Sequence, residues 1–367
     1  MRILVAPDKF KGSLGAADVA QKIALGLRDI LSDAEINLQP VADGGEGTAE
    51  IICSVTGGEW FSYAVHDAVG RRADARYCII PRNVAVIDAS AACGLSQVPP
   101  DQRDPDNAIS FGVGELMQDA ARRGASEIII GLGGTATNDG GFGLARALGY
   151  RFLARDGREL RGAVSALAGL KQIEAPRRQD WPQVTAAADV QNPLLGARGA
   201  TRTFAMQKGA RAEQLDGLEL ALERLADIVA RDLGSDTRSA AGAGAAGGLG
   251  FGLLSFCGAT IARGFDVVAQ FIGLEEAIKS HDVIITGEGR FDLTTLEGKA
   301  PAGVAQLARK NRKQVFAIVG QMDTATDLGT LFDHVFPLAY SFVAPEEARR
   351  DVRKLLRERG RELARQL

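Results

Sequence analysis

The residues of this chain that could do chemistry fall into six short stretches, each mixing glycine with charged or hydroxyl side chains. The first is Asp8-Lys-Phe-Lys-Gly-Ser-Leu14, where Lys11 and Ser13 flank a glycine turn ahead of a helix. Such a turn suits an anion; equally, Ser13 could cap the helix and the lysines stay solvated. The second, Ala42-Asp-Gly-Gly-Glu-Gly-Thr48, carries Asp43 and Glu46. Carboxylates on a glycine turn suit Mg²⁺, which is held through one or two carboxylates plus substrate phosphates. They could instead serve the dipole of the following helix. The third, Gly131-Leu-Gly-Gly-Thr-Ala-Thr-Asn-Asp-Gly-Gly-Phe-Gly143, offers backbone N–H groups to phosphate oxygens, with Asn138 and Asp139 beside them.

The fourth stretch, Ala188-Asp-Val-Gln-Asn-Pro193, puts Asp189 at a strand end, where a general base could reach a substrate hydroxyl. An Asx turn before Pro193 is the alternative. The fifth, Gly242-Ala-Gly-Ala-Ala-Gly-Gly248, matches GxGxxG. A dinucleotide fold needs a strand directly before that motif, and residues 236–241 do not read as one. Asp266 stands at a distance suited to a ribose but precedes an apolar run. A phosphate-facing helix terminus or tight helix packing fits better. The sixth, Thr286-Gly-Glu-Gly-Arg-Phe-Asp292, is followed by Gly298-Lys299. Glu288 and Asp292 are metal or hydroxyl partners; Arg290 and Lys299 are anion partners, unless Lys299 is only an exposed cation.

Most of these stretches follow predicted strands. Residues 3–6 read as a buried strand and 16–30 as an amphipathic helix with Val19, Ile23, Leu27 and Ile30 on one side. A second strand ends near 41 and a helix begins near 46. Residues 61–65, 75–80 and 84–88 read as a meander with turns at 69–70 and 81–83. Residues 112–123 are helical, 127–130 and 184–188 are strands, and 212–233 form a long helix. At the far end, strands 282–286 and 315–319 flank a helix over 302–310. This alternation predicts an α/β protein. A Rossmann-like parallel-sheet domain is expected from both chain ends (1–60 and 275–367). An inserted α/β domain with a mixed sheet is expected over 61–274. Ligands of open α/β sheets sit at the carboxyl ends of strands, where the six stretches fall.

The bulk numbers exclude other classes. With 46% hydrophobic and 24% charged residues the chain is ordinary and globular. A net charge of −3 gives no field toward nucleic acid or anionic lipid. No apolar run approaches a membrane span, and the opening Met1-Arg-Ile-Leu-Val is too short and too soon polar for a signal peptide. Cys53, Cys78, Cys93 and Cys257 are scattered in apolar surroundings, without a CxxC pair. They read as small buried hydrophobes of a cytoplasmic protein. Neither a Walker A motif nor the protein-kinase signatures occur.

Seven motifs in order resemble the bacterial type-1 glycerate kinase family: Ala6-Pro-Asp8 with Lys11 and Ser13-Leu14; Ala42-Asp-Gly-Gly-Glu-Gly-Thr48; Gly133-Gly-Thr-Ala-Thr-Asn-Asp-Gly-Gly141; Asp189 with Asn192-Pro193-Leu194; Gln207-Lys-Gly-Ala210; Gly242-Ala-Gly-Ala-Ala-Gly-Gly248; and Ile285-Thr-Gly-Glu-Gly-Arg290 with Asp292, Gly298 and Lys299. Together they cover nearly the whole chain. The resemblance implies two α/β domains with a cleft between them, ATP as donor, a divalent cation, D-glycerate as acceptor and 2-phosphoglycerate as product. On it, Asp189 and Lys11 are assigned as catalytic. Gly133, Gly134, Thr135, Asn138, Gly242, Gly244, Gly247, Gly248 and Gly287 are assigned to the nucleotide. Ser13, Arg290, Asn192 and Lys299 are assigned to the substrate, and Asp43, Glu46, Glu288 and Asp292 to Mg²⁺. The expected assembly is a monomer or homodimer. The chain departs from the family's habit at Ala188, Gln191 and Thr294, which bears on substrate preference. A kinase of another hydroxy acid such as tartronate, a nucleotide-binding regulator and an NAD-dependent oxidoreductase are the rival readings.

Overall fold

The computed structural model describes residues 1–177, 181–291, 299–322, 331–339 and 350–367. In chain order its strands are β1 (Arg2–Val5), β2 (Glu35–Leu38), β3 (Glu59–His66), β4 (Arg72–Ile80), β5 (Val84–Asp88), β6 (Glu127–Gly131), β7 (Arg151–Ala154), β8 (Leu170–Glu174), β9 (Gln183–Ala188), β10 (Thr260–Arg263), β11 (Val283–Thr286), β12 (Arg290–Phe291), β13 (Gln314–Val319), β14 (Gln321–Met322) and β15 (His334–Pro337). Contacts divide the chain into two units: Met1–Asp43 with Phe265–Leu367, and Gly44–Gly264.

The first unit carries a five-stranded sheet in the order β15-β13-β11-β1-β2. Every pairing in it is parallel, with Ile3 opposite Val283 on one side and Ile36 on the other. Central parallel strands are buried on both faces and need unbroken apolar runs. Ile3-Leu4-Val5 and Val283-Ile284-Ile285 are such runs and are buried. Ile3, Val5, Ile285 and Ile318 share one core with Val19, Ile23 and Leu27 of the helix Ala16–Arg28. The helix Val352–Ala364 packs on that helix at Gly26, where any Cβ would collide with the Arg357 carbonyl. Arg357 and Arg361 both bond Asp29 at 2.7 Å, fixing the helix ends together.

The second unit carries a six-stranded mixed sheet, β10-β9-β6-β5-β4-β3. β3, β4 and β5 form the antiparallel meander read from the sequence, while β5, β6, β9 and β10 run parallel. β6 is fully buried from Ile128 to Ile130. The apolar stretch after Gly242 divides between a largely buried segment, Ala245–Cys257, helical apart from a left-handed kink at Ala246, Gly247 and Gly248, and β10. Residues 212–233 divide into a 3₁₀ turn, Ala212–Gln214, and the helix Leu215–Leu233. Helix Thr48–Thr56 packs against β4 and β5 and belongs to this unit. The parallel sheet from both chain ends and the mixed sheet in the middle agree with the fold class expected from sequence.

Candidate active site

In the second unit, three glycine-rich segments, 44–47, 131–141 and 242–248, meet near the carboxyl ends of β5, β6 and β9. The loop after β6 lies directly on the 44–47 turn: a Cβ on Gly133 would stand 2.5 Å from the Gly45 Cα, and one on Gly134 3.6 Å from a Glu46 carboxylate oxygen. The neighbouring 93–95 segment pins the far side of that loop, with Leu95 N–H donating to the Gly134 carbonyl (2.8 Å) and Ala136 N–H to that of Cys93 (2.8 Å). Among the described residues, the backbone N–H groups of Gly133, Gly134 and Thr135 donate to no protein acceptor. Three successive free donors on a glycine turn form an oxyanion-binding edge.

Beneath that edge the loop is held by buried polar groups. Asp139, fully buried, accepts from Ser110 N–H (2.8 Å), Ser110 hydroxyl (2.9 Å), Gly141 N–H (3.1 Å) and Gly143 N–H (2.9 Å). Burial still pushes its carboxyl above the ordinary range, against the pull of those donors. Asn138 donates to the Thr201 hydroxyl at 3.0 Å, and its own carbonyl oxygen is buried without a partner. Lys208 donates to the Thr137 carbonyl at 2.7 Å and to the Thr135 hydroxyl at 3.3 Å. The 242–248 segment closes over Thr137, and any Cβ on Gly247 (φ +70°) would collide with the Thr137 carbonyl.

In the first unit, the loops after β1 and β11 interlock. Asp8 N–H donates to the Gly287 carbonyl (2.8 Å), and Thr286 hydroxyl to that of Ala6 (2.8 Å). Phe10 and Leu14 close a tight turn through reciprocal backbone bonds of 2.8 and 2.9 Å. Lys11 and Ser13 are exposed on that turn. Asp8 is buried; burial first, then the Asp43 carboxylate, hold its carboxyl well above the ordinary range, with Glu288 adding to the same effect. Three acidic side chains thus share one field at the strand ends. Among the described residues, no group of three or more His, Cys, Asp or Glu is placed to hold a metal ion.

The profile of the glycerate kinase family matches residues 3–367. This chain belongs to the glycerate kinase family. It is 40% identical over 347 residues to a glycerate kinase of Bacillus subtilis (strain 168), covering 94% of this chain and 90% of that one. It is 40% identical over 346 residues to a glycerate 2-kinase of Escherichia coli (strain K12), covering 93% and 90%. A crystal structure of a provisionally named glycerate kinase 2 from Salmonella typhimurium LT2 superposes with a TM-score of 0.85 at 40% identity, covering 100% of this chain and 98% of that one. Membership of the glycerate kinase family carries with it phosphotransfer and the use of ATP and small-molecule substrates. No helix among the described residues is long and apolar enough to cross a membrane.

Gly133, Gly134, Thr135 and Asn138 lie on the loop after β6, and Gly242, Gly244, Gly247 and Gly248 on the segment packed over it. No strand precedes Gly242, so the requirement of the dinucleotide reading is unmet. Asp189 is exposed one residue past β9. Asn192 spends its amide donors on the Arg198 carbonyl (2.7 Å) and Thr203 hydroxyl (3.4 Å), bracing its own loop. Asp43, Glu288, Gly287, Lys11, Ser13, Arg290 and Lys299 belong to the first unit and Glu46 to the second. Asp292 lies outside the described residues. The N-cap of the helix Ala16–Arg28 is Gly15, not Ser13. At the start of Thr48–Thr56, Asp88 at the end of β5 accepts from Gly47 N–H (2.8 Å) and Ala49 N–H (3.1 Å).

Sequence reasoning missed Asp88, Asp8 and Lys208 as site residues. Asp8 and Lys208 stood inside motifs already quoted, but each sits among polar or charged neighbours, Lys9 and Gln207, that give no sign of its burial. Asp88 had only its place at a strand end.

Proposed function

We propose that this protein transfers the γ-phosphoryl group of ATP to the 2-hydroxyl of D-glycerate, giving 2-phosphoglycerate, as a cytoplasmic enzyme of organic-acid metabolism. The observation that carries the reading is the row of free N–H donors at Gly133, Gly134 and Thr135, on a loop braced by Asp139 and Lys208. Phosphoryl transfer demands positioning and charge neutralisation more than covalent chemistry, and such a loop supplies both.

In this reading the loop holds nucleotide phosphates, and Asp189 accepts the proton of the substrate hydroxyl as the bond to phosphorus forms. Lys11, Arg290, Ser13 and Lys299 receive the carboxylate and transferring phosphoryl oxygens. The donor set fits a hard cation: Asp8, Asp43 and Glu288 lie close enough for the two neighbours to raise the Asp8 carboxyl. Mg²⁺ needs only one or two carboxylates when phosphates complete its shell. Asp43 and Glu288 would hold it, with Glu46 and Asp292 as further candidates. When bound, the ion neutralises phosphate charge. Transfer to the 2-hydroxyl is supported by a relative that carries the name glycerate 2-kinase.

The test is an ATP-consumption assay of the purified protein with D-glycerate, tartronate and other small hydroxy acids, with the product read by phosphorus NMR. D-Glycerate as best acceptor and a 2-phosphate product are expected. Preference for tartronate would move the substrate, and a 3-phosphate product, free of isomerase, would refute the position of transfer.

A further inference from the structure

The mechanism above leaves one buried cation without an anionic partner. Lys208 is 4% exposed, closes the 3₁₀ turn Met206–Lys208, and meets no carboxylate within ion-pair distance among the described residues. Asp139, the acidic group nearest in effect, already accepts four hydrogen bonds from Ser110, Gly141 and Gly143. A buried ammonium is costly unless something compensates it. Its bonds explain what it does instead. One goes to the Thr137 carbonyl, fixing the backbone of the loop. The other goes to the oxygen of the Thr135 hydroxyl, which leaves that hydroxyl hydrogen with no acceptor among the described residues. Thr135 therefore presents its N–H and its O–H as donors from the same residue, beside the free N–H groups of Gly133 and Gly134.

We propose that Lys208 is the positioning residue of the nucleotide site, orienting Thr135 as a double donor to a phosphate oxygen and supplying the loop's positive charge from below. This rests on the reading of the 131–139 loop as the phosphate site. The groups facing Lys208 are few. Cys93, at the end of the helix Ala89–Cys93, is a thiol that burial pushes up to about 12, and Asp139 is the other. Arg103 approaches the following Gly209 through its backbone while its guanidinium bonds the Val98 and Leu95 carbonyls. Burial pushes Lys208 itself down to about 8. The charge beneath the loop then disappears within an accessible pH range, and affinity for the nucleotide goes with it.

The experiment compares wild type, Lys208→Met and Lys208→Arg with ATP and D-glycerate, following KM for each substrate, kcat, Tm and the pH profile. A charge-assisted bond lost from the site predicts a rise in KM for ATP of about 10- to 100-fold in the methionine variant. KM for D-glycerate should stay within about twofold, with the arginine variant recovering part of the loss. In wild type, kcat/KM for ATP should fall as pH rises through about 8, and the arginine variant should lack that limb. A folded Lys208→Met protein with normal KM for ATP overturns the proposal, as does an equal rise in both KM values. Should Lys208→Met fail to fold, the wild-type profile decides, and a flat profile through about 8 overturns the proposal. Wild type without ATP turnover removes the proposed function and this proposal together; turnover with a normal methionine variant removes this proposal alone.

Discussion

Asp189 stands one residue past the last paired residue of β9, exposed, where the chain leaves the sheet. Its replacement by asparagine keeps shape and loses basicity. Asp189→Asn should cut kcat by roughly 10²- to 10⁴-fold, with a modest change in KM for glycerate and an unaltered Tm. Near-normal kcat with a native melt would retire it as the base. For Asp43 the expected signature differs: Asp43→Asn should raise the Mg²⁺ concentration needed for half-maximal rate while leaving stability nearly intact, since turn substitutions away from the core cost little. Excess chelator should abolish turnover of the wild type, and full activity under chelation would dismiss the metal. Lys208 carries a stability consequence as well. Its folded value of about 8 lies below the ordinary 10.5, so between those values the unfolded chain binds more protons and stability rises with pH. Below that window both states are protonated and the cost of burying the charge is fully present. Relative to Lys208→Met, wild type should gain on the order of 3 kcal/mol across the window, measured by denaturant melts. No relative gain would show the ammonium to be better solvated than its burial implies.

At the scale of elements, the connection from β5 to the helix Thr48–Thr56 invites a direct test. Asp88 compensates the first N–H groups of that helix from another strand, and the same turn supports Gly133. Asp88→Ala should cost about 0.5–2 kcal/mol, as lost helix caps do, and should weaken nucleotide binding as the turn loosens. A variant with unchanged stability would mean that water replaces the carboxylate without loss. The helix itself was legible in the sequence, but its cap was not: Asp88 lies 41 positions from Gly47, and a cap supplied through space leaves no local pattern. The strands β1, β9, β11 and β13 were legible because central parallel strands demand unbroken apolar runs. β10 was not, since Thr260–Arg263 continues the apolar helix Ala245–Cys257 after a single left-handed turn at Gly258. The glycines of 242–248 announced a close approach without saying to what. The Thr137 carbonyl, which occupies the space of a Cβ at Gly247, supplies a packing reason for one of them. Lys208 was hidden for a related cause: a lysine between Gln207 and Gly209 reads as surface until the fold buries it.

At the scale of the whole molecule, all six strands of the mixed sheet and its hydrophobic core come from Gly44–Gly264. That segment, expressed alone, should melt cooperatively and show native-like circular dichroism, because domains with their own core can fold by themselves. A non-cooperative melt would show that it depends on the rest of the chain. The parallel sheet has no such independence. β1 lies between β2 and β11, and the bond from Thr286 to Ala6 joins residues 280 positions apart. During synthesis at ~5–20 residues per second, β1 leaves the ribosome roughly 15–60 s before β11 exists to pair with it. Through that interval the edge of β1 that β11 will cover has only solvent, the growing chain or a chaperone to meet. The middle of the chain can complete its fold in the same interval, so β1 gains its β11 neighbour only after the intervening unit has had time to form.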